Sequence, residues 1–227
     1  MLRSLTLIAF CLIALVAATS AQKKSTEDKP PAPQTLKKSN QRAPVKAPKA
    51  EPFDKATVET MAAQCVKLET EAGVIELEMF PESAPESVRN FLNLAATGAF
   101  DTTTFSRVVP RFVIQGGNLS TREKMTPELD KRMRRTIPDE PSQIKHERGI
   151  LSMARPTEPN SATTHFFILV GAASNLDGTF AAFGRVTQGM EVVDAINKMP
   201  VENEKPAKPV RIARASVVPC PAPTNPK

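Results

Sequence analysis

The 227-residue chain has no tryptophan and no tyrosine, only three cysteines and two histidines. Each scarcity excludes something. A zinc site would have to draw on Cys65, Cys220, His146 and His165, which show no CxxC or HxxxH spacing, so no metal and no cofactor is expected. Without Tyr or Trp there are few of the aromatic platforms on which single-stranded nucleic acids stack. Excess charge is also missing where a fold would need it. The formal +6 comes from residues 22–57, with nine Lys/Arg against four Asp/Glu, and from one arginine before them; residues 58–227 carry twenty of each sign. A nucleic-acid-binding fold would hold the basic residues itself, so no nucleic-acid partner is expected.

Long apolar runs are absent except at the start. Residues 1–21, MLRSLTLIAFCLIALVAATSA, combine one arginine, an apolar run and then small residues, the layout of a signal peptide cleaved after Ala21. The run is short for a membrane span, which needs about 20 apolar residues; an uncleaved anchor is the alternative. The expectation is an exported protein of the periplasm or cell envelope, or a secreted one, with no stable membrane insertion of the mature chain. Residues 22–57 are rich in Lys, Pro and Ala and have no apolar period, which predicts a disordered linker. Residues 58–220 then form one domain large enough for its own core, followed by a short tail, 221–227. A monomer is expected.

Within the domain, residues 65–71 and 74–80 alternate apolar and polar about Ala72-Gly73, a β-hairpin pattern. Next, SAPESVRNFLNLAATG has Ser83 and Glu86 in capping-box spacing and an apolar face of Val88, Phe91, Leu92 and Ala95, predicting a helix closed by Gly98. Residues 118–148 are polar, with prolines at 127, 138 and 141, and predict a long surface excursion with one helical turn in PELDKRMRR. Strand patterns resume at 149–154, 165–170 and 179–186; 189–199 has helical spacing, and 208–220 reads as a last strand. About eight short strands with two separated helices point to an antiparallel barrel.

The stretch TTFSRVVPRFVIQGG (103–117) is the puzzle, because an arginine sits inside an apolar strand. If the hairpin turns about Arg111, Arg107 and Gln115 pair across it and share a face with Val109 and Val113. An arginine at a barrel rim, stem packed and head in water, is the bland alternative. FSRVVPRFVIQGG, GILSMARPTEPNSATTHFFILV and NLDGTFAAFGRV, in this order, resemble the cyclophilin family of peptidyl-prolyl cis–trans isomerases. The resemblance runs from about residue 65 to 219. The MAR…P.SAT stretch and the segment replacing the glycine-rich one after QGG resemble bacterial members, including exported ones.

The resemblance implies a mainly β fold: a closed eight-stranded antiparallel β-barrel capped by two α-helices. It implies an isomerase acting on proline-containing segments of unfolded or exported proteins. Carried over by position, the catalytic arginine is Arg107 and its glutamine Gln115. The proline pocket is Phe112, Val113, Phe167 and Leu176, and Ala154-Arg155 bind the substrate backbone. Four positions depart: Ser106 stands where a histidine usually precedes the arginine, His165 where a glutamine is usual, Asn175 at a tryptophan position, and Phe180 where His or Tyr is common. The family's macrocyclic inhibitor cyclosporin leans on that tryptophan's indole. A weakly catalytic peptide-binding or chaperone module on the same fold is the alternative; a Ser106–His165 hydrolase dyad lacks an orienting acid and a G-x-S-x-G elbow. In such a fold the first and last strands are neighbours, which with export implies a Cys65–Cys220 disulfide; two free thiols at frayed strand ends are the alternative.

Overall fold

The computed structural model describes residues 50–221; the expected signal (1–21), most of the expected linker (22–49) and residues 222–227 of the tail lie outside the described residues. The alternating segments fold as their pattern demands. Strands β1 (Gln64–Thr70) and β2 (Gly73–Met79) pair as a hairpin that buries Val66, Leu68, Ile75 and Leu77. Further strands are β3 (Arg107–Val109), β4 (Val113–Gly116), β5 (Ile150–Met153), β6 (Phe166–Leu169) and β7 (Ala182–Gln188). A small hairpin, β8 (Val201–Glu202) with β9 (Lys205–Pro206), precedes β10 (Ile212–Pro219). Eight strands form one antiparallel sheet in the order β10-β1-β2-β7-β5-β6-β4-β3.

The sheet is not the closed barrel that the resemblance implies. Its end strands, β10 and β3, form no ladder with each other, so it is an open, curled half-barrel. The reason lies at β3. That strand has three residues, and the N–H of Val108 already donates to the Glu204 carbonyl of the 201–206 hairpin (2.8 Å). Among the described residues the two ends of the sheet meet before β3, through Thr102 N–H to Ile212 O (2.8 Å), Ile212 N–H to Thr103 O (2.7 Å), Phe105 N–H to Val210 O (2.9 Å) and a lone Thr104–Arg211 bridge.

The sheet curls around a core of phenylalanines. The Phe91 ring lies 5.1, 5.1 and 5.2 Å from those of Phe100, Phe166 and Phe183, all four fully buried. Phe has no polar tip to satisfy, so a core without Tyr or Trp has no buried phenol O–H or indole N–H in need of a partner. Helix α2 (Pro85–Ala96) supplies Phe91 and closes one end, and α4 (Met190–Asn197) lies across β2 and β4. Two shorter helices, α1 (Val58–Ala62) and α3 (Pro127–Arg132), are the other α-helices among the described residues.

The capping box expected at Ser83 and Glu86 does not form. Pro85 takes the first helical position, where its missing N–H costs nothing, and this puts Ala84 at the cap with no side-chain bond. The free amides go instead to Glu140, whose carboxylate accepts from Glu86 N (2.9 Å), Ser87 N (2.7 Å) and Ser87 Oγ (2.7 Å). Just past the other end, Arg122 Nη1 donates to the carbonyls of Gly98 (2.6 Å) and Ala99 (2.7 Å). The 118–148 excursion thus clasps α2 at both ends. The fold also starts earlier than Val58: Phe53 packs on the core, and Arg89 Nη1 donates to the carbonyls of Phe53 (2.7 Å) and Ala56 (2.8 Å). Cys65 and Cys220, at the ends of the β1–β10 pair, are joined by a disulfide with Cα atoms 4.9 Å apart.

Candidate active site

The period of two in β3, β4 and β6 gives this part of the sheet two apolar faces. Val108, Ile114, Phe166 and Ile168 turn into the phenylalanine core, while Val109, Val113, Phe167 and Leu169 turn the other way into a second, smaller cluster. Arg107 is therefore not in the core. It lies on the second face, two residues along β3 from Val109, and pairs directly with Gln115. Gln115 pairs in turn with Phe167 and Phe167 with Ser152, so one row crosses four strands.

Above this row is a groove of about 160 Å³. Ligand pockets are typically about 300–1,000 Å³, so there is room for a side chain and not for a large cofactor. Phe112, Val113, Phe167 and Leu176 give it an apolar lining, with Arg107 and Gln115 on one side and Ala154, Arg155 and Phe180 on the other. These nine come from five separate segments of the chain. Arg107 Nη1 donates to Gln115 Oε1 (3.1 Å), and Arg107 Nε donates to Glu204 Oε2 (2.7 Å). Glu204, 97 residues along the chain in the turn between β8 and β9, carries no motif that would mark it in the sequence.

The opposite wall is held by packing and charge. The Arg155 guanidinium lies 5.0 Å from the Phe180 ring centroid and pairs with Asp139 (3.2 Å). Leu176 is carried on a single 3₁₀ turn, Ser174–Leu176. His146 anchors that turn: its carbonyl accepts from Ala173 N (2.7 Å), its N–H donates to Asp177 (2.8 Å), and its ring joins Asp177 (3.2 Å) to Ser152 Oγ (3.1 Å). Burial holds the His146 pKa below the ordinary histidine value, partly offset by Asp177, while the amide of His146 and the Lys145 ammonium lower that of Asp177. Asp, His and Ser in sequence of contact suggest a hydrolase triad, but His146 and Ser152 are fully buried and Ser152 Oγ donates to the Ala181 carbonyl (2.8 Å). No substrate reaches this serine.

Three of the candidate residues do not line the groove. Ser106, just before β3, donates its N–H to Gln115 O (3.1 Å); His165, just before β6, accepts from Ala154 N–H (3.0 Å) through its carbonyl; Asn175 is exposed on the 3₁₀ turn. Desolvation lowers the His165 pKa. Among the described residues no hydrogen bond joins Ser106 to His165, so the dyad considered above has no geometry to act with.

A family model described as cyclophilin type peptidyl-prolyl cis-trans isomerase/CLD matches residues 65–217. The chain belongs to this family. Curated relatives agree: peptidyl-prolyl cis-trans isomerase A of Dickeya dadantii is 36% identical over 167 residues, covering 67% of this chain and 84% of that protein. The cypE isomerase of Dictyostelium discoideum is 39% identical over 158 residues, covering 69% and 99%. A solved structure of a Cryptosporidium parvum cyclophilin-type isomerase, determined in the presence of the dipeptide Ala-Pro, superposes with a TM-score of 0.60 at 29% identity, covering 68% of this chain and 98% of that one. This cyclophilin is a peptidyl-prolyl cis–trans isomerase.

Proposed function

We propose that the Arg107 groove is the isomerase site, that it takes proline-containing segments of unfolded proteins, and that the protein works outside the cytoplasm on exported chains. The observation that carries the first part is a guanidinium held over an apolar pocket the size of one side chain. Rotation of an amide costs about 18–20 kcal/mol because its C–N bond has partial double-bond character. In the twisted transition state the prolyl nitrogen pyramidalises and regains a lone pair. A donor aimed there binds the transition state better than either planar ground state. Arg107 is a permanently charged, rigidly forked donor. Phe112, Val113, Phe167 and Leu176 grip the pyrrolidine ring, Gln115 orients the guanidinium and anchors the substrate backbone, and Ala154-Arg155 hold the chain on the far side.

No covalent step, metal or cofactor enters this mechanism. The departures at Ser106, His165 and Asn175 fall outside the groove lining, which supports a working enzyme over a peptide-binding module with little turnover. Export rests on the N-terminal sequence and on the Cys65–Cys220 disulfide, a bond that persists in oxidising compartments. We propose a monomer with neither nucleic-acid nor membrane partners. The test is an exchange assay on a short Xaa-Pro peptide with the purified protein. Acceleration that Arg107→Ala removes, with an unchanged fold, is the expected result; a variant as fast as wild type refutes the assignment.

A further inference from the structure

Glu204 is not among the pocket residues, yet it makes the shortest bond to Arg107. Its Oε2 lies 2.7 Å from Nε, while Gln115 Oε1 lies 3.1 Å from Nη1. Both side chains of the Arg107–Glu204 pair are about half exposed, 42% and 49%, so the pair contributes little to stability. The backbone there points to a different purpose. Glu202 pairs with Lys205, leaving Asn203 and Glu204 as a two-residue turn with φ +49° and +64°. A turn with two positive φ angles favours Asn followed by Gly. The first residue fits; the second, a glutamate in a left-handed conformation, is strained where glycine would be relaxed. Strain retained at one position asks what its side chain does.

We infer that Glu204 is the positioning residue of the catalytic arginine. This rests on the assignment of Arg107 above. The Glu204 carbonyl accepts from Val108 N–H (2.8 Å), which fixes the turn against β3 beside Arg107. From that anchor the Glu204 carboxylate accepts a hydrogen bond from Nε–H, and Gln115 Oε1 accepts one from Nη1. Two acceptors on different nitrogens of a planar group fix its plane as well as its position. The remaining N–H groups are then left for the substrate. A guanidinium held by Gln115 alone could pivot about that single bond, so that fewer encounters would present a donor to the prolyl nitrogen.

The test compares Glu204→Gly, Glu204→Gln and Arg107→Ala in the full chain, with kcat and KM measured on one Xaa-Pro peptide. Glu204→Gly relieves the turn, so thermal stability is expected to hold or rise. Its kcat is expected to fall roughly tenfold, the scale of one lost charge-assisted hydrogen bond, with KM unchanged. Glu204→Gln keeps an acceptor for Nε and should recover most of the rate. In the double variant Glu204→Gly should add nothing to the loss caused by Arg107→Ala. A wild-type kcat in Glu204→Gly beside a slow Arg107→Ala overturns the positioning role alone. So does a Glu204→Gln variant no faster than Glu204→Gly, or a further loss in the double variant. A fast Arg107→Ala overturns the assignment of Arg107 as well.

Discussion

Arg107 sits in an apolar strand because alternate residues of that strand serve different faces. Val108 fills the core, and Arg107 faces the groove with Gln115 opposite. The pairing of 107 with 115 was legible from the turn at Arg111; the ion pair with Glu204 was not, since nothing local links residues 97 apart. Asn175 lies on the exposed turn beside Leu176, where the family carries an indole. An indole supplies a large apolar face and an N–H donor that a short amide cannot match. Cyclosporin is therefore expected to inhibit weakly in a competition assay, and Asn175→Trp to restore part of the affinity; tight inhibition of the unmodified protein contradicts this. The chain's two histidines, His146 and His165, both have pKa values lowered by burial. Below the ordinary histidine value of about 6.5 the unfolded chain takes up protons that the fold refuses. Stability should thus be full above that pH and decline as pH falls from about 7 towards 5. Urea titrations at several pH values check this, and stability that is constant or rises over that interval contradicts it.

At the scale of elements, alternation and apolar spacing made the hairpins and both long helices readable, because side-chain period is a local property. What local pattern could not supply was partners. Helix α2 has a capping sequence that goes unused; its first amides are taken by Glu140 and the carbonyls just past its last turn by Arg122, both from a segment that reads as a polar surface excursion. That excursion is a clasp on the helix that carries Phe91. Glu140→Ala removes the acceptor of two helix amides and a buried hydroxyl, and should cost about 1–3 kcal/mol of stability by denaturant titration. An unchanged midpoint would mean that water or Ser83 takes over the cap. The failure of the barrel to close has the same origin: the β8–β9 turn occupies the β3 edge, and only tertiary structure brings it there.

For the whole molecule, the disulfide ties the first strand to the last across 155 residues. In the chain-entropy view a loop of this length contributes at most about 5 kcal/mol. Cys65→Ser together with Cys220→Ser should lower the thermal midpoint while leaving isomerisation at low temperature intact, since neither cysteine lines the groove. Thiol titration of the unreduced, unfolded mature protein should find none free; two per chain would rule the bridge out. The family resemblance was readable because its three motifs are continuous stretches that supply the groove residues, whereas the expected closure of the sheet was carried over from the family and did not hold. The central claim is that Arg107 acts on the twisted amide and not on the resting peptide. The most direct measurement is NMR line-shape analysis of one Xaa-Pro peptide with wild type and Arg107→Ala, which yields affinity and on-enzyme exchange rate together. The account predicts an exchange rate lower by roughly a hundredfold or more, the scale of losing one preorganised donor, with peptide affinity nearly unchanged. Affinity lost in proportion, with on-enzyme exchange preserved, would contradict it.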